Sequence, residues 1–206
     1  MTKKRSPKER TQEIIQAALE VLDEKGLSGL TMEAVIERTI LSKGGVYRFY
    51  GNKQELILDV WKYIVDFFQP VDKKEVVSWN LPLKETLIRL LFSIFYHEEG
   101  LRYMRIHIQL MPQLPLDNPM MKSLKEKLDN VLVQYIEIIK LIIKRDRLKT
   151  KPAFKKTIVS VIDIGQSFFD GLMINSLSGM PIDALERRMN GFISLVIQAL
   201  IEDYKD

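Results

Sequence analysis

At 206 residues, 46% apolar and 28% charged, the chain is long enough for one or two domains and apolar enough to bury a core. It has no cysteine, which excludes disulfides, thiolate metal sites and cysteine nucleophiles and suits a reducing, cytoplasmic compartment. The formal net charge is +4, and the first ten residues alone carry +4, from Lys3, Lys4, Arg5, Lys8 and Arg10 against Glu9, whereas the chain after Lys53 holds 21 basic and 20 acidic residues. That asymmetry suits contact with a polyanion and equally a solvated tail. The N-terminus has no apolar stretch of the kind a secretory signal needs. The longest uncharged run, between Arg188 and Glu202, is 13 residues, short of the roughly 18 to 20 that a membrane-crossing helix requires, so no such helix and no membrane partner are expected.

Taken in chain order, the apolar residues recur at helical spacing almost everywhere, and nothing alternates strictly between turn residues as a strand would. The expected fold is all-α. A first helix is predicted from Lys8 to Lys25, with Ile14, Ala18, Val21 and Leu22 on one stripe and Gly26 closing it. Thr31 caps a short second helix to Arg38 whose Met32, Val35 and Ile36 point inward. Three residues, Thr39 to Leu41, lead to Ser42, which caps a third helix ending near Tyr50. Asn52 with Glu55 three residues on forms a capping-box pattern that opens a fourth helix toward Phe68.

Two short helices joined by a three-residue turn, the second one basic, make a helix-turn-helix, which presents its second helix to a major groove. Val46 and Tyr50 are four apart and face the core with Leu41, leaving Lys43, Gly44, Tyr47 and Arg48 outward. Lysine and arginine donate to guanine O6 and N7, a tyrosine hydroxyl reaches phosphate, and glycines near the helix start let a backbone approach. Ser42 leaves the amide end of the helix near phosphate oxygens. Short capped helix pairs also occur in bundles that bind no nucleic acid, so spacing alone leaves both readings open.

Residue identity narrows the choice. The run Leu41-Ser42-Lys43-Gly44-Gly45-Val46-Tyr47-Arg48-Phe49-Tyr50-Gly51-Asn52-Lys53-Gln54-Glu55-Leu56 resembles the DNA-binding signature of the tetracycline-repressor (TetR) family. The resemblance covers the first 60 residues and includes Ile14-Ile15-Gln16-Ala17-Ala18-Leu19 and the Lys25-Gly26-Leu27 to Thr31-Met32 connection. It implies a three-helix DNA-binding domain over residues 1–53, followed over residues 54–206 by a larger helical domain for effector binding and dimerisation. The DNA-binding set it implies is Thr31, Ser42, Lys43, Gly44, Gly45, Tyr47, Arg48 and Lys53, with Tyr47 and Lys53 on phosphates and Thr31 capping the second helix near the backbone. The chain departs from the family twice. Ile40 stands where the turn usually has glycine, so the turn should avoid a left-handed conformation there. Gly45 stands where a threonine is common, which removes a hydroxyl contact to phosphate.

Beyond Lys53 the sequence predicts helices at 83–97, 100–111, 120–145, 154–177 and 183–203, broken at Pro70, Pro82, the Pro112 to Pro119 segment, Pro152 and Gly179-Met180-Pro181. The apolar segment Met111-Pro112-Gln113-Leu114-Pro115 reads as an ordered corner. The last two helices are apolar over more than one stripe, so a four-helix interface about a two-fold axis is expected, through Phe168, Leu172, Phe192, Val196 and Leu200; interior helices of a monomeric bundle are the other reading. In the family this helix pair is the dimer interface. Dimerisation would set paired recognition helices about 34 to 36 Å apart to read a palindrome.

Candidate effector-binding residues are Met104, His107, Ile108, Met111, Tyr135, Gln166, Phe169 and Asp170. Apolar residues at this spacing are also what plain core looks like, and the polar ones are costly to bury unpaired. Trp79, expected in a loop after the fourth helix, suggests a lid. His97 and His107 fit no zinc spacing, no glycine-rich phosphate loop follows a strand, and no nucleophile or acid-base constellation is recognisable. No catalytic residue, metal or cofactor is therefore expected. The resemblance implies a ligand-responsive DNA-binding transcriptional regulator with double-stranded DNA, an unidentified small molecule and a second copy as partners, repression being the usual mode. The alternative, a helical adaptor for proteins or membrane surfaces, accounts for the basic tail but not for the Ser42 to Tyr47 run.

Overall fold

The computed structural model describes residues 5–67, 72–113 and 119–204. Lys3 and Lys4, the helix end at Phe68, the break at Pro70 and the residues Leu114 and Pro115 of the expected corner lie outside the described residues. Among the described residues there are ten α-helices and no strand, only an isolated bridge between Thr150 and Ile201.

Helix α1 spans Pro7–Gly29. It starts with a capping box absent from the sequence prediction: the Glu9 amide donates to Ser6 Oγ at 3.2 Å while the Ser6 amide donates to the Glu9 carboxylate at 2.6 Å. The Ser6 amide first, and the Ser6 hydroxyl second, hold the Glu9 carboxyl below its ordinary pKa. Gly26, at φ +65, breaks the helix where expected, and one further turn carries it to Gly29. Helix α2 is Met32–Ile36, α3 is Lys43–Tyr47 and α4 is Lys53–Phe67. Helix α1 packs on α2 and α4, and α2 on α3. Their apolar stripes supply a continuous core: Ile14, Ala18, Leu22, Val35, Val46, Leu56, Val60 and Ile64 are all inaccessible to solvent.

Helix α5, Lys73–Ser78, was not legible in the sequence, because only Val76 of its six residues is buried and the stretch has no apolar stripe. Asp72 caps it by accepting from the Lys74 amide at 2.7 Å. Then come α6 at Leu83–Phe92, a 3-10 turn at Ser93–Tyr96, α7 at Glu98–Leu110, a 3-10 turn at Met111–Gln113, α8 at Pro119–Arg145, α9 at Phe154–Leu177 and α10 at Ile182–Leu200. Every later helix predicted from the sequence is present, its ends displaced by a few residues.

The chain groups into two compact units. The first holds residues 1–69 and 102–126, so the C-terminal part of α7 belongs with α1 to α4. The second holds residues 70–101 and 127–206. Within it α10 packs on α9 and α6, and Phe92, Phe95 and Phe169 form an aromatic cluster with ring centres 5.4 to 6.3 Å apart.

Two expectations change here. Trp79 is not a loop lid: it ends α5, and the Arg89 guanidinium lies 4.2 Å from the centre of its ring. Counting uncharged runs also understated α9. It is one unbroken 24-residue helix with an 18-residue window of mean hydropathy 1.3, long and apolar enough by length and composition to cross a membrane, yet only 17% of that window is buried. Asp163 and Asp170 interrupt the apolar surface.

Candidate nucleic-acid interface

Local chemistry places the residues between Thr31 and Lys53. Thr31 is extended and accepts from the Ala34 amide at 3.0 Å, starting α2. Ser42 repeats the device, accepting from the Gly45 amide at 3.2 Å to start α3. Between them Ile40 keeps a negative φ, since Asn80, Arg147 and Asp203 are the described non-glycine residues with positive φ. The turn has thus dispensed with the left-handed residue that a glycine would serve. After α3, the Phe49 and Tyr50 amides both donate to the Val46 carbonyl, continuing a helical turn up to Tyr50.

Val46 is fully buried and Tyr50 is 3% exposed. The Tyr50 hydroxyl donates to Asp59 of α4 at 3.0 Å; burial first, and the neighbouring carboxylate second, push that phenol well above its ordinary pKa. Two buried anchors four residues apart fix which side of α3 faces water. On that side Lys43, Gly44, Tyr47 and Arg48 are all exposed. The Lys43 ammonium lies 5.9 Å from the centre of the Tyr47 ring and 4.0 Å from the Glu33 carboxylate, contacts too loose and too wet to hold it. Among the described residues no hydrogen bond or ion pair engages the Arg48 guanidinium. A Cβ on Gly44 would stand in open space, whereas one on Gly45 would come within 3.3 Å of the capping Ser42 hydroxyl. Gly45 therefore protects the cap, and Gly44 leaves room for a close approach. Lys53 is half-buried and donates to the Leu27 carbonyl at 3.4 Å, so its ammonium is partly spent on tying α4 to the end of α1.

The candidate effector residues fall in both units. Met104, His107, Ile108 and Met111 belong to the first. Met104 is core and Met111 is 48% exposed. His107 Nδ1 accepts from Trp61 Nε1 of α4 at 2.9 Å, and burial lowers its pKa to about 4, so it is a neutral acceptor inside the unit. Around it α7 is fastened to α1 and α4 at several points. Arg102 and Arg105 pair with Asp23 of α1, Gln54 of α4 donates to the Gln113 carbonyl at 2.9 Å, and Tyr103 packs edge-on against Tyr63 and Phe67. The Arg102 Nε atom lies 3.0 Å from Asp23 but off the line of a hydrogen bond, so that contact is ionic. Sequence periodicity cannot reveal these ties, which join residues 36 to 82 positions apart.

Tyr135, Gln166, Phe169 and Asp170 belong to the second unit. Burial pushes the Tyr135 phenol up to about 12 and raises Asp170, whereas Gln166 is exposed and Phe169 sits in the aromatic cluster. Among the described residues no group of three His, Asp or Glu is placed to hold a metal ion.

The expected dimer residues need correction. Leu172, Val196 and Leu200 are 1%, 7% and 2% exposed within the single chain, because α9 and α10 turn these residues toward each other and the bundle; they are core. Phe168 and Phe192 stack with ring centres 4.3 Å apart, half-exposed. The apolar residues of α9 and α10 that do face outward are Val159, Ile164, Ile174, Ile182 and Leu195.

A capped five-residue helix, anchored on one side and cationic and open on the other, at the end of a tight helix pair, has the geometry of a helix-turn-helix. Residues 14–60 match the family model of the bacterial regulatory proteins of the tetR family. An uncharacterised helix-turn-helix regulator of Bacillus subtilis (strain 168), YhgD, is 30% identical over 87 residues, 42% of this chain and 44% of that one, so the match spans under half of either protein. Among solved structures, a regulator from Saccharomonospora viridis in complex with choline has a TM-score of 0.70 at 14% identity, covering 95% of this chain and 99% of that one. NalD of Pseudomonas aeruginosa, described as the secondary repressor of a multidrug efflux pump, has a TM-score of 0.61 at 15% identity, covering 96% and 98%. These likenesses establish a shared all-α fold.

Proposed function

We propose that the chain is a cytoplasmic repressor that binds a palindromic operator as a homodimer and is released by a small molecule. Residues 1–53 read DNA and residues 54–206 bind the effector and the second copy. The observation that carries the reading is the exposed cationic side of α3: Lys43 and Arg48 read base edges and the Tyr47 hydroxyl contacts phosphate, with Lys53, half-buried at the start of α4, on a further phosphate. Thr31 and Ser42 cap the two helices that meet the duplex, and Gly44 and Gly45 keep the approach clear.

A second copy is supported by α9, whose apolar length is mostly uncovered in the single chain, and by the outward Ile164, Ile174 and Leu195. A two-fold pair places two recognition helices about 34 to 36 Å apart. Ligand response is supported by the ties between α7 and helices α1 and α4, through which a shift of α7 would move the reading helix. The choline complex of one structural relative and the repressor role of another agree with this reading.

Selection of duplexes by the purified protein from a random pool tests it. The expected result is an inverted repeat, bound with an affinity that falls steeply with salt because several phosphates are neutralised. Recovery of no preferred sequence sinks the proposal.

A further inference from the structure

The turn that launches the reading helix is held from outside by one carboxylate, and we propose that Glu13 is a positioning residue for operator recognition, fixing both that turn and the root of the basic N-terminal segment to α1. The inference rests on the DNA-binding reading above. The Glu13 side chain is only 16% exposed, and its two oxygens have different partners. Oε1 accepts the Ile40 amide at 2.9 Å, across 27 residues of chain, and Oε2 meets the Arg5 guanidinium at 2.5 Å.

The Ile40 amide needs such a partner. The amides just before it, of Arg38 and Thr39, donate to Val35 and Ile36 carbonyls, but among the described residues no backbone acceptor takes that of Ile40. A charged oxygen accepting a backbone N–H is among the stronger hydrogen bonds available. Here it reaches the middle of the turn, two residues before the Ser42 cap. The Ile40 side chain is left 76% exposed, so polar ties, this one and the Thr39 hydroxyl's bond to the Ile36 carbonyl, hold the turn rather than burial of Ile40. Val46 fixes the depth of α3 from its inner side, and Glu13 fixes the direction in which the chain enters it. Because the same carboxylate holds Arg5, that guanidinium also sits at a set place relative to the turn that leads into the reading helix.

The test compares full-length wild type with Glu13→Ala, Glu13→Gln and Arg5→Ala. It uses the duplex that wild type selects from a random pool, a scrambled duplex, and exchange of the Ile40 amide. Glutamine keeps an oxygen for Ile40 and loses the ion pair, whereas alanine loses both. Glu13→Ala should lower affinity for the selected duplex about tenfold, leave the scrambled duplex unaffected, and speed Ile40 exchange. Glu13→Gln should recover most of the selected-duplex affinity, and Arg5→Ala should match the shortfall that remains. The idea is overturned by an unchanged selected-to-scrambled ratio in Glu13→Ala, by Glu13→Gln being as weak as alanine, or by Ile40 exchange at the wild-type rate. If wild type selects no duplex at all, the DNA-binding reading itself falls and takes this one with it.

Discussion

At the scale of single residues, Arg48 and Tyr47 are exposed neighbours on α3, and their proposed roles separate experimentally. Replacing Arg48 by alanine should relax preference at one base position, costing about 1 to 3 kcal/mol there and little elsewhere. Tyr47→Phe, which removes only the hydroxyl, should weaken binding to all duplexes alike. Anisotropy titrations on the selected duplex and its single-position variants distinguish the two patterns. His107 gives a prediction of a different kind. Its pKa is lowered to about 4 by burial, against an ordinary value near 6.5, and its neutral ring accepts from Trp61. Between those values the unfolded chain binds a proton that the folded chain refuses, so stability is full above about pH 6.5 and declines as pH falls toward 4. The loss is at most about 3 kcal/mol. His107→Gln retains an acceptor for Trp61 and cannot titrate; its urea midpoint, followed by tryptophan fluorescence at pH 7.5 and 5, should fall less with acid than that of wild type.

At the scale of elements, α3 is too short to persist by helix propensity. It exists because Ser42 caps its start, Val46 and Tyr50 pin one side, and the Tyr50 hydroxyl is tied to α4. Ser42→Ala should therefore cost about 1 kcal/mol of stability and loosen the reading surface. The cost would appear as a lower melting midpoint together with weaker binding to the selected duplex. A variant with full operator affinity would show that the cap matters only to folding. Helix α7 is the other element with a defined task. Asp23, Gln54 and Trp61 on α1 and α4 all meet residues of its C-terminal part or the turn after it, so those segments form one compact unit.

At the scale of the whole molecule, the two sides of α9 and α10 predict opposite consequences. Ile164 and Leu195 are 62% and 66% exposed, and Leu172 is 1% exposed. Ile164→Asp with Leu195→Asp should leave the single chain folded, yield monomers in sedimentation, and weaken operator binding by about a hundredfold or more as the two half-sites lose their linkage. Leu172→Ala should do the reverse, lowering stability by about 2 to 5 kcal/mol while the remaining folded protein stays dimeric. Dimers that survive both aspartates would move the interface elsewhere.

The sequence by itself determined the all-α class, the helix order after residue 83, the two caps at Thr31 and Ser42, and the inward turn of Val46 and Tyr50. Each of these follows from interactions spanning a few residues, which periodicity and capping chemistry record directly. Helix α5 left no such record, having one buried residue and no stripe. Only the tertiary structure decided that Leu172, Val196 and Leu200 are core, that Lys53 leans on Leu27, and that His107 serves Trp61. It also brought Glu13 to Ile40. An apolar helix with two stripes says that both are covered but not by what, and a polar side chain does not name a partner dozens of residues away. Packing makes that choice, because burial and pairing depend on which elements meet, and that is a property of the folded chain rather than of any one segment of it.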